Sequence, residues 1–271
     1  MRGFLVALMI ATPALMLPGI SADTTQIILL VALLAAFLVF IEYNSNFPSI
    51  VEFRNAPPLN RLRFCGFFVA VFLLTVICAG RTEPTLLTGA LTSVARLMGN
   101  LLDFPFSPVR LVILAMPADT PETTLHLVRA AAGLSYLLAV ITIAIFVVLV
   151  RMFGWPSSRN GAFNVWVNLP LFDPTAGGDA LARLKRDARI NMVLGFLLPF
   201  LLPAVAKLAA VVIGSVTLQE PQTLIWTMTL WAFLPASLMM RGIAMSKIAE
   251  MIEEKRRRSY AREAENDYQV A

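Results

Sequence analysis

Six long apolar stretches constrain this chain more than any other feature of its sequence. They lie near residues 4–20, 26–42, 64–80, 130–150, 191–214 and 224–240. A helix needs about 20 mostly apolar residues to cross the hydrocarbon core of a bilayer. Only 14% of the 271 residues are charged, whereas a soluble domain carries about 25%. The sequence therefore predicts an all-α integral membrane protein with about six transmembrane helices.

The first apolar stretch has two interpretations. Arg2, the apolar run and the small residues that follow it fit a cleavable signal peptide. A retained helix is favoured, because the run is long and another span follows almost at once. The number of spans is six if the segment is retained and five if it is removed. The sides predicted for all later loops are the same in both cases.

The lysines and arginines predict how the chain is oriented. With Arg2 inside, 17 of the 22 basic residues fall in segments on the same side, four lie on the other side, and Lys207 lies within a span. Basic residues accumulate on the cytoplasmic side of membrane proteins. We therefore expect both termini in the cytoplasm if residues 1–22 are retained. We also expect the chain to reside in a bacterial inner membrane.

The outer segment 84–116 carries the pattern of an amphipathic helix. Its apolar residues recur at helical spacing, as Leu87, Leu91, Val94, Met98 and Leu101. The favoured interpretation is a helix lying on the outer leaflet, followed by a loop broken by prolines. The alternative is a re-entrant hairpin that dips into the bilayer. The segment Thr120-Pro121-Glu122 then predicts the start of the next helix.

The fifth apolar stretch contains the residues most suggestive of a transport pathway. Pro199 and Pro203 each remove a backbone hydrogen bond and predict a kinked or broken helix. Lys207 is the one ionisable residue inside a span, where a charge is costly and often functional. The plainer expectation is that Lys207 extends toward the outer surface or pairs with an acid such as Glu220.

Residues 241–271 are predicted to form a charged helical tail beyond a bundle that ends at residue 240. Glu253 and Arg257, and likewise Glu254 and Arg258, have the spacing of ion pairs on one helix face. The cluster of Lys255, Arg256, Arg257 and Arg258 is a candidate contact with anionic lipid. It is short, so no nucleic-acid partner is expected.

No residue pattern predicts catalysis, a cofactor or a metal. His126 is the single histidine and has no cysteine cluster near it, so it does not form the ligand spacing of a zinc site. Gly177-Gly178 precedes a predicted helix, but Asp179 would occupy its positive end and act as a cap. If a diffuse enzyme site exists, its candidates are the cytoplasmic carboxylates Asp173, Asp179 and Asp187.

The lack of acidic residues inside the spans favours a non-catalytic function. We expect an accessory, scaffold or assembly component of a larger membrane complex, whose partners are the bilayer and other membrane subunits or copies of itself. The alternative is a small channel or carrier, with Lys207 and the two prolines of the fifth span near its path. A membrane enzyme is the least favoured of the three hypotheses.

Overall fold

The computed structural model describes residues 1–152, 155–156, 164–173, 175, 177–213 and 218–270, and all regular secondary structure within them is helical. The helices are α1 (Arg2–Met16), α2 (Ala22–Asn44), α3 (Leu59–Ala79), α4 (Leu86–Leu102), α5 (Pro108–Ala115), α6 (Glu122–Met152), α7 (Val165–Asn168), α8 (Ala180–Ile213) and α9 (Pro221–Val270). This agrees with the predicted all-α class.

Five of the described helices are long and apolar enough to cross a membrane, which suggests an integral membrane protein. They are α2, α3, α6, α8 and α9, and they contain the predicted second to sixth spans. The predicted first span corresponds to α1, which ends at Met16 after 15 residues and contains Pro13. Because α1 falls short of that length, the count of six spans stays a prediction.

The helices run back and forth between two ends of the molecule. The guanidinium carbon of Arg2 lies 4.0 Å from the centroid of the Tyr43 ring. The start of α1 is therefore next to the end of α2, and the two helices form a hairpin whose free ends lie beside the loop at 45–58. We call this the loop end, and we call the opposite end, formed by residues 80–121, the α4–α5 end. The loop end is the one predicted to face the cytoplasm.

Two clusters of buried side chains form the core, one toward each end. The first joins α3, α4, α5, α6 and α9 and includes Leu74, Val128 and Ile225. The second lies at the loop end and includes Phe53 and Phe146. Helix α9 takes part in both clusters and continues unbroken to Val270, so the charged tail is a continuation of the last apolar helix.

Glycines bring the helix backbones into close contact. A Cβ atom added at Gly133 would lie 2.5 Å from the Cα of Gly99, so α4 and α6 touch along their backbones. A Cβ atom at Gly195 would lie 2.7 Å from the backbone nitrogen of Met239, which brings α8 equally close to α9. Small residues at these positions increase the dispersion contacts that hold helices together in lipid.

Helix α4 confirms the amphipathic helix predicted in segment 84–116. It begins with a capping box formed by Thr85 and Thr88. One face packs its small residues against α6, while the apolar side chains of another face are exposed, namely Leu86, Leu87, Val94, Leu97 and Leu101. Asp103, which follows α4, accepts a hydrogen bond of 2.7 Å from Arg129 of α6. The interfacial and the re-entrant placement of this segment both stay predictions.

The contact between α4 and α6 can be tested with two alanine substitutions. A Cβ atom at Gly99 would lie 2.6 Å from the carbonyl oxygen of Arg129, whereas one at Gly89 meets no atom within 4 Å. We expect Gly99→Ala to lower the free energy of unfolding by about 1–3 kcal/mol through overpacking. Gly89→Ala should be neutral or raise it by about 0.5–1 kcal/mol, since glycine is unfavourable inside a helix. Thermal unfolding in detergent measures both, and equal midpoints for the two variants would contradict the close contact.

Candidate interaction surface at the α2 edge

Helix α2 has the least protein around it of the five candidate membrane helices. In the most apolar window of α2, 6% of the residues are buried, against 39% for α3 and 56% for α9. Among the helices of the described residues, α2 contacts α1 alone. Its exposed apolar side chains point in all other directions and include Leu30, Leu33, Leu34 and Phe37. Most of this helix is therefore available to lipid or to another protein.

Small residues fix α2 to α1. A Cβ atom added at Gly3 would lie 2.6 Å from the carbonyl oxygen of Ala36, so the two backbones are in contact. Ala32 is one of only two buried residues of α2, and Ala11 and Ala14 of α1 are buried as well. Helix α1 contacts α3 and α9 in turn, and it thereby connects α2 to the rest of the bundle.

The other buried residue of α2 is Glu42, which orders the loop that follows the helix. Its carboxylate accepts hydrogen bonds from the backbone N–H groups of Ser49, at 3.1 Å, and of Ile50 and Val51, each at 3.0 Å. The Ser49 hydroxyl donates a further bond of 2.6 Å. Hydrogen bonds to an ionised group are about twice as strong as neutral ones. Glu42 therefore holds residues 49–51 in a defined conformation beside the end of α2.

This ordered loop extends the apolar surface beyond the end of the helix. Phe47 is 86% exposed and Ile50 is 69% exposed, although the backbone that carries them is hydrogen-bonded. Arg54 donates hydrogen bonds to the carbonyl oxygens of Glu42, at 2.8 Å, and of Ser45, at 2.6 Å, which adds to the order. We call the exposed apolar side chains of α2, together with Phe47 and Ile50, the α2 edge.

The next residues of the loop connect the α2 edge to the core. Glu52 is buried and accepts two hydrogen bonds from the guanidinium of Arg241 in α9, one of them 2.8 Å long. Phe53 has a φ of 53°, a left-handed conformation that is uncommon for a residue other than glycine. Its N–H donates to the carbonyl oxygen of Asn168 at 2.7 Å, and the side chain of Asn168 accepts from the N–H of Asn55 at 2.9 Å. These contacts hold the unusual turn in place.

A cavity of about 340 Å³ lies where α1, α3 and α9 meet near the loop end. Its walls are mostly apolar and include Met9, Phe64 and Phe233. Arg63 also lines it and donates a 2.6 Å hydrogen bond to the carbonyl oxygen of Ser237. The Nε atom of Arg63 is buried and has no hydrogen-bond partner in the described part of the chain.

Lys207 lies on an exposed part of α8, and its ammonium group donates a hydrogen bond to the carbonyl oxygen of Leu114. This partner is a backbone group near the end of α5, not the carboxylate of Glu220 that the sequence suggested. The last carbonyl groups of a helix lack intrahelical donors, and a cation there also interacts favourably with the helix dipole. Lys207 therefore fastens α5 to α8. Its role in a transport pathway stays a prediction.

Pro199 and Pro203 are buried inside α8, which runs unbroken from Ala180 to Ile213. The sequence predicted a kinked or broken helix here; the helix is not broken, and a kink stays a prediction. Because Pro203 has no N–H, the carbonyl oxygen of Pro199 loses its usual donor four residues later. The indole N–H of Trp231 in α9 donates to that oxygen at 3.1 Å. The unpaired carbonyl is thus used as a contact between α8 and α9.

The basic residues predicted to contact lipid are exposed on the tail of α9. Arg256 pairs with Asp179 at 3.3 Å, Arg257 pairs with Glu253 at 3.7 Å, and Arg258 pairs with Glu254. The two predicted ion pairs along the helix are therefore confirmed. These carboxylates neutralise much of the positive charge of the cluster, whose fourth member is Lys255. Lipid contact through the four basic residues stays a prediction.

The three carboxylates named as candidates for an enzyme site have local structural contacts. Asp179 caps α8 by accepting a hydrogen bond of 3.1 Å from the N–H of Leu181, which agrees with its predicted role. That hydrogen bond is the main cause that lowers the pKa of Asp179, and Arg256 contributes to it. Asp173 accepts from the hydroxyl of Thr175, and Asp187 lies 3.6 Å from Arg186. Within the described residues, no three histidine, cysteine or acidic side chains lie close enough together to hold a metal ion.

Comparisons of the chain with models of protein families, with curated proteins and with solved structures found no match.

Sequence reasoning identified the helices of this surface but not the residues that organise it. Glu42 follows an apolar run and precedes a turn rich in asparagine and serine, so it reads as an ordinary solvated residue. One sequence signal could have identified it: a single acid at the end of a span is followed by a turn whose backbone N–H groups need acceptors. The pair of Glu52 and Arg241 joins residues 189 positions apart, and no local pattern could reveal it.

The contact between Trp231 and Pro199 can be isolated with a double-mutant cycle. Trp231→Phe should lower the free energy of unfolding by about 1–3 kcal/mol, because it leaves a buried carbonyl oxygen without a donor. Pro203→Ala restores the backbone N–H that can bond to Pro199 within α8. The effect of Trp231→Phe should therefore be smaller in the Pro203→Ala background. Chemical unfolding in detergent measures the cycle, and an unchanged Trp231→Phe effect in both backgrounds would exclude this contact.

The role of Glu42 can be tested by removing its charge while keeping its shape. Glu42→Gln weakens the hydrogen bonds to residues 49–51, because a neutral oxygen is a poorer acceptor and an amide also carries donors. We expect backbone amide exchange at residues 49–51 to become at least about tenfold faster, which corresponds to roughly 1.4 kcal/mol of local stability. Glu83→Gln, at an exposed acid of the α4–α5 end, is the control. Unchanged exchange in Glu42→Gln would show that other contacts order the loop.

Proposed function

We propose that the chain is a non-catalytic accessory, scaffold or assembly component of a larger membrane complex. In this proposal, the α2 edge is the surface on which an apolar transmembrane helix of another subunit packs. The observation that carries the proposal is the exposure of α2, of which 6% is buried in its most apolar window and which contacts one helix only. A helix in this position adds little to the packing of its own chain.

The order of the neighbouring loop supports a protein partner for this surface. Glu42 and Arg54 take part in six hydrogen bonds of 3.1 Å or less with the backbone and side chains around residues 42–51. The result is that Phe47 and Ile50 stay exposed on an ordered backbone. A surface held in its binding conformation loses less conformational entropy when a partner docks.

The alternative function, a small channel or carrier, has less support from the arrangement of its candidate residues. The ammonium group of Lys207 is engaged by the backbone of Leu114, and α8 passes through Pro199 and Pro203 without interruption. Both features suit fixed contacts between helices. The accessory function is therefore the one that we propose.

Two matched substitutions test the proposal. Leu30 of α2 and Leu208 of α8 are apolar and equally exposed, at 70% and 72%. We expect the protein to purify in mild detergent from its native membrane with a stoichiometric membrane partner. Leu30→Ser should reduce the recovered partner by at least about tenfold, the effect of roughly 1.4 kcal/mol at an interface, whereas Leu208→Ser should retain it. Native mass spectrometry gives the stoichiometry.

The other outcomes of this experiment are also informative. A homo-oligomer that dissociates in Leu30→Ser would make a second copy of the chain the occupant of the α2 edge. Equal recovery of the partner in both variants would exclude the α2 edge as the docking surface. A lone monomer would contradict the accessory function and would favour transport, in which case Lys207→Ala should alter flux in liposomes.

A further inference from the structure

A cavity of about 460 Å³ lies at the α4–α5 end, between the end of α3, the outer part of α4 and the first turns of α6. We call it the α4 cavity. Its volume is within the range of pockets that hold small organic ligands. Its polar lining consists of two arginines and four hydroxyl residues, Arg81, Arg96, Thr88, Thr92, Ser93 and Thr123. No acidic residue is among the residues that line it.

The two arginines of the α4 cavity have no partners of their own. Among the described residues, the side chains of Arg81 and Arg96 make no hydrogen bond and no ion pair, and both residues are exposed. At this end of the molecule Asp103 pairs with Arg129 at 2.7 Å. Glu122 is exposed and lies 3.7 Å from the imidazole of His126. Glu83 is exposed, and among the described residues no ion pair joins it to Arg81 or Arg96. The cavity therefore carries two positive charges without compensation from its lining.

The hydroxyl groups of the lining differ in what they can offer a ligand. Thr88, Thr92 and Ser93 already donate to carbonyl oxygens of their own segment. The hydroxyl of Thr123 makes no hydrogen bond in the described part of the chain and is free to donate. Thr123 lies in the first turn of α6, whose positive end already carries the carboxylate of Glu122, so the helix end itself adds nothing to the site. The side chains of Arg81, Arg96 and Thr123 are thus the donors in the cavity that are free to bind an anion.

We propose that the α4 cavity binds a phosphate group carried by an organic molecule. Each planar guanidinium can donate two parallel hydrogen bonds to a phosphate. The two guanidiniums and the hydroxyl offer more donors than a carboxylate can accept, because its two oxygens accept hydrogen bonds in one plane. A phosphate has more oxygens, arranged as a tetrahedron, and matches this set of donors better. The cavity is larger than inorganic phosphate needs, so the phosphate belongs to a larger ligand. That ligand is either the headgroup of an anionic lipid or a soluble phosphate ester.

Two measurements on the full-length protein in detergent distinguish these sources. The first is calorimetric titration with glycerol 3-phosphate as the soluble ester. The second is native mass spectrometry with phosphatidylglycerol, compared with diacylglycerol, which lacks the phosphate. The variant Arg81→Gln with Arg96→Gln removes both charges at exposed positions. The control variant Arg61→Gln with Arg151→Gln removes two exposed charges at the loop end.

We expect Arg81→Gln with Arg96→Gln to weaken phosphate binding at least about tenfold, since each substitution removes charge-assisted hydrogen bonds to the phosphate. The control should bind as the wild type does, and Arg81→Lys with Arg96→Lys should retain part of the affinity. Weakened binding of glycerol 3-phosphate identifies a soluble ester, and weakened retention of phosphatidylglycerol alone identifies a lipid headgroup. Binding of neither ligand by the wild type, or equal binding by the Arg81 and Arg96 variant and the control, would overturn the proposal.

Discussion

Helices inside a bilayer gain little from burying apolar side chains against one another, because the lipid around them is equally apolar. Association must come from close dispersion contacts and from a few internal hydrogen bonds. The contact of Gly99 with Gly133 and that of Gly195 with Met239 supply the first. The bond between Trp231 and Pro199 supplies the second. The packing of α4 on α6 and of α8 on α9 uses contacts of these two kinds.

Helix α2 is joined to this bundle in a different way. It reaches the core through α1, and through a loop whose polar groups are satisfied within the chain by Glu42, Arg54 and Asn168. The loop end therefore combines a rigid polar interior with an apolar outer surface. At the opposite end, two arginines line the α4 cavity, and no acidic residue is among the residues that line it.

Much of the fold could be predicted from the sequence, because an apolar run of sufficient length has few other solutions. The start of α6 at Glu122, the amphipathic α4 and the cap at Asp179 followed from local patterns. The length of α1 did not, since the apolar run continues past Met16, where the helix ends. The partners of Glu42 and Lys207 also did not follow, because each depends on how distant segments meet. Local chemistry gives the type of a group, and only the fold gives its neighbour.

The proline pair of α8 implies a coupling between two positions of the chain. Pro203 creates an acceptor at Pro199, and Trp231 supplies the donor, so each residue removes the penalty that the other would impose alone. Among related chains, loss of the proline at position 203 should be accompanied by loss of the indole at position 231. A helix can in this way carry a specific polar contact through the hydrocarbon core while every side chain of the acceptor helix at that contact stays apolar. Such a contact fixes the rotation of α9 against α8 and not merely their distance.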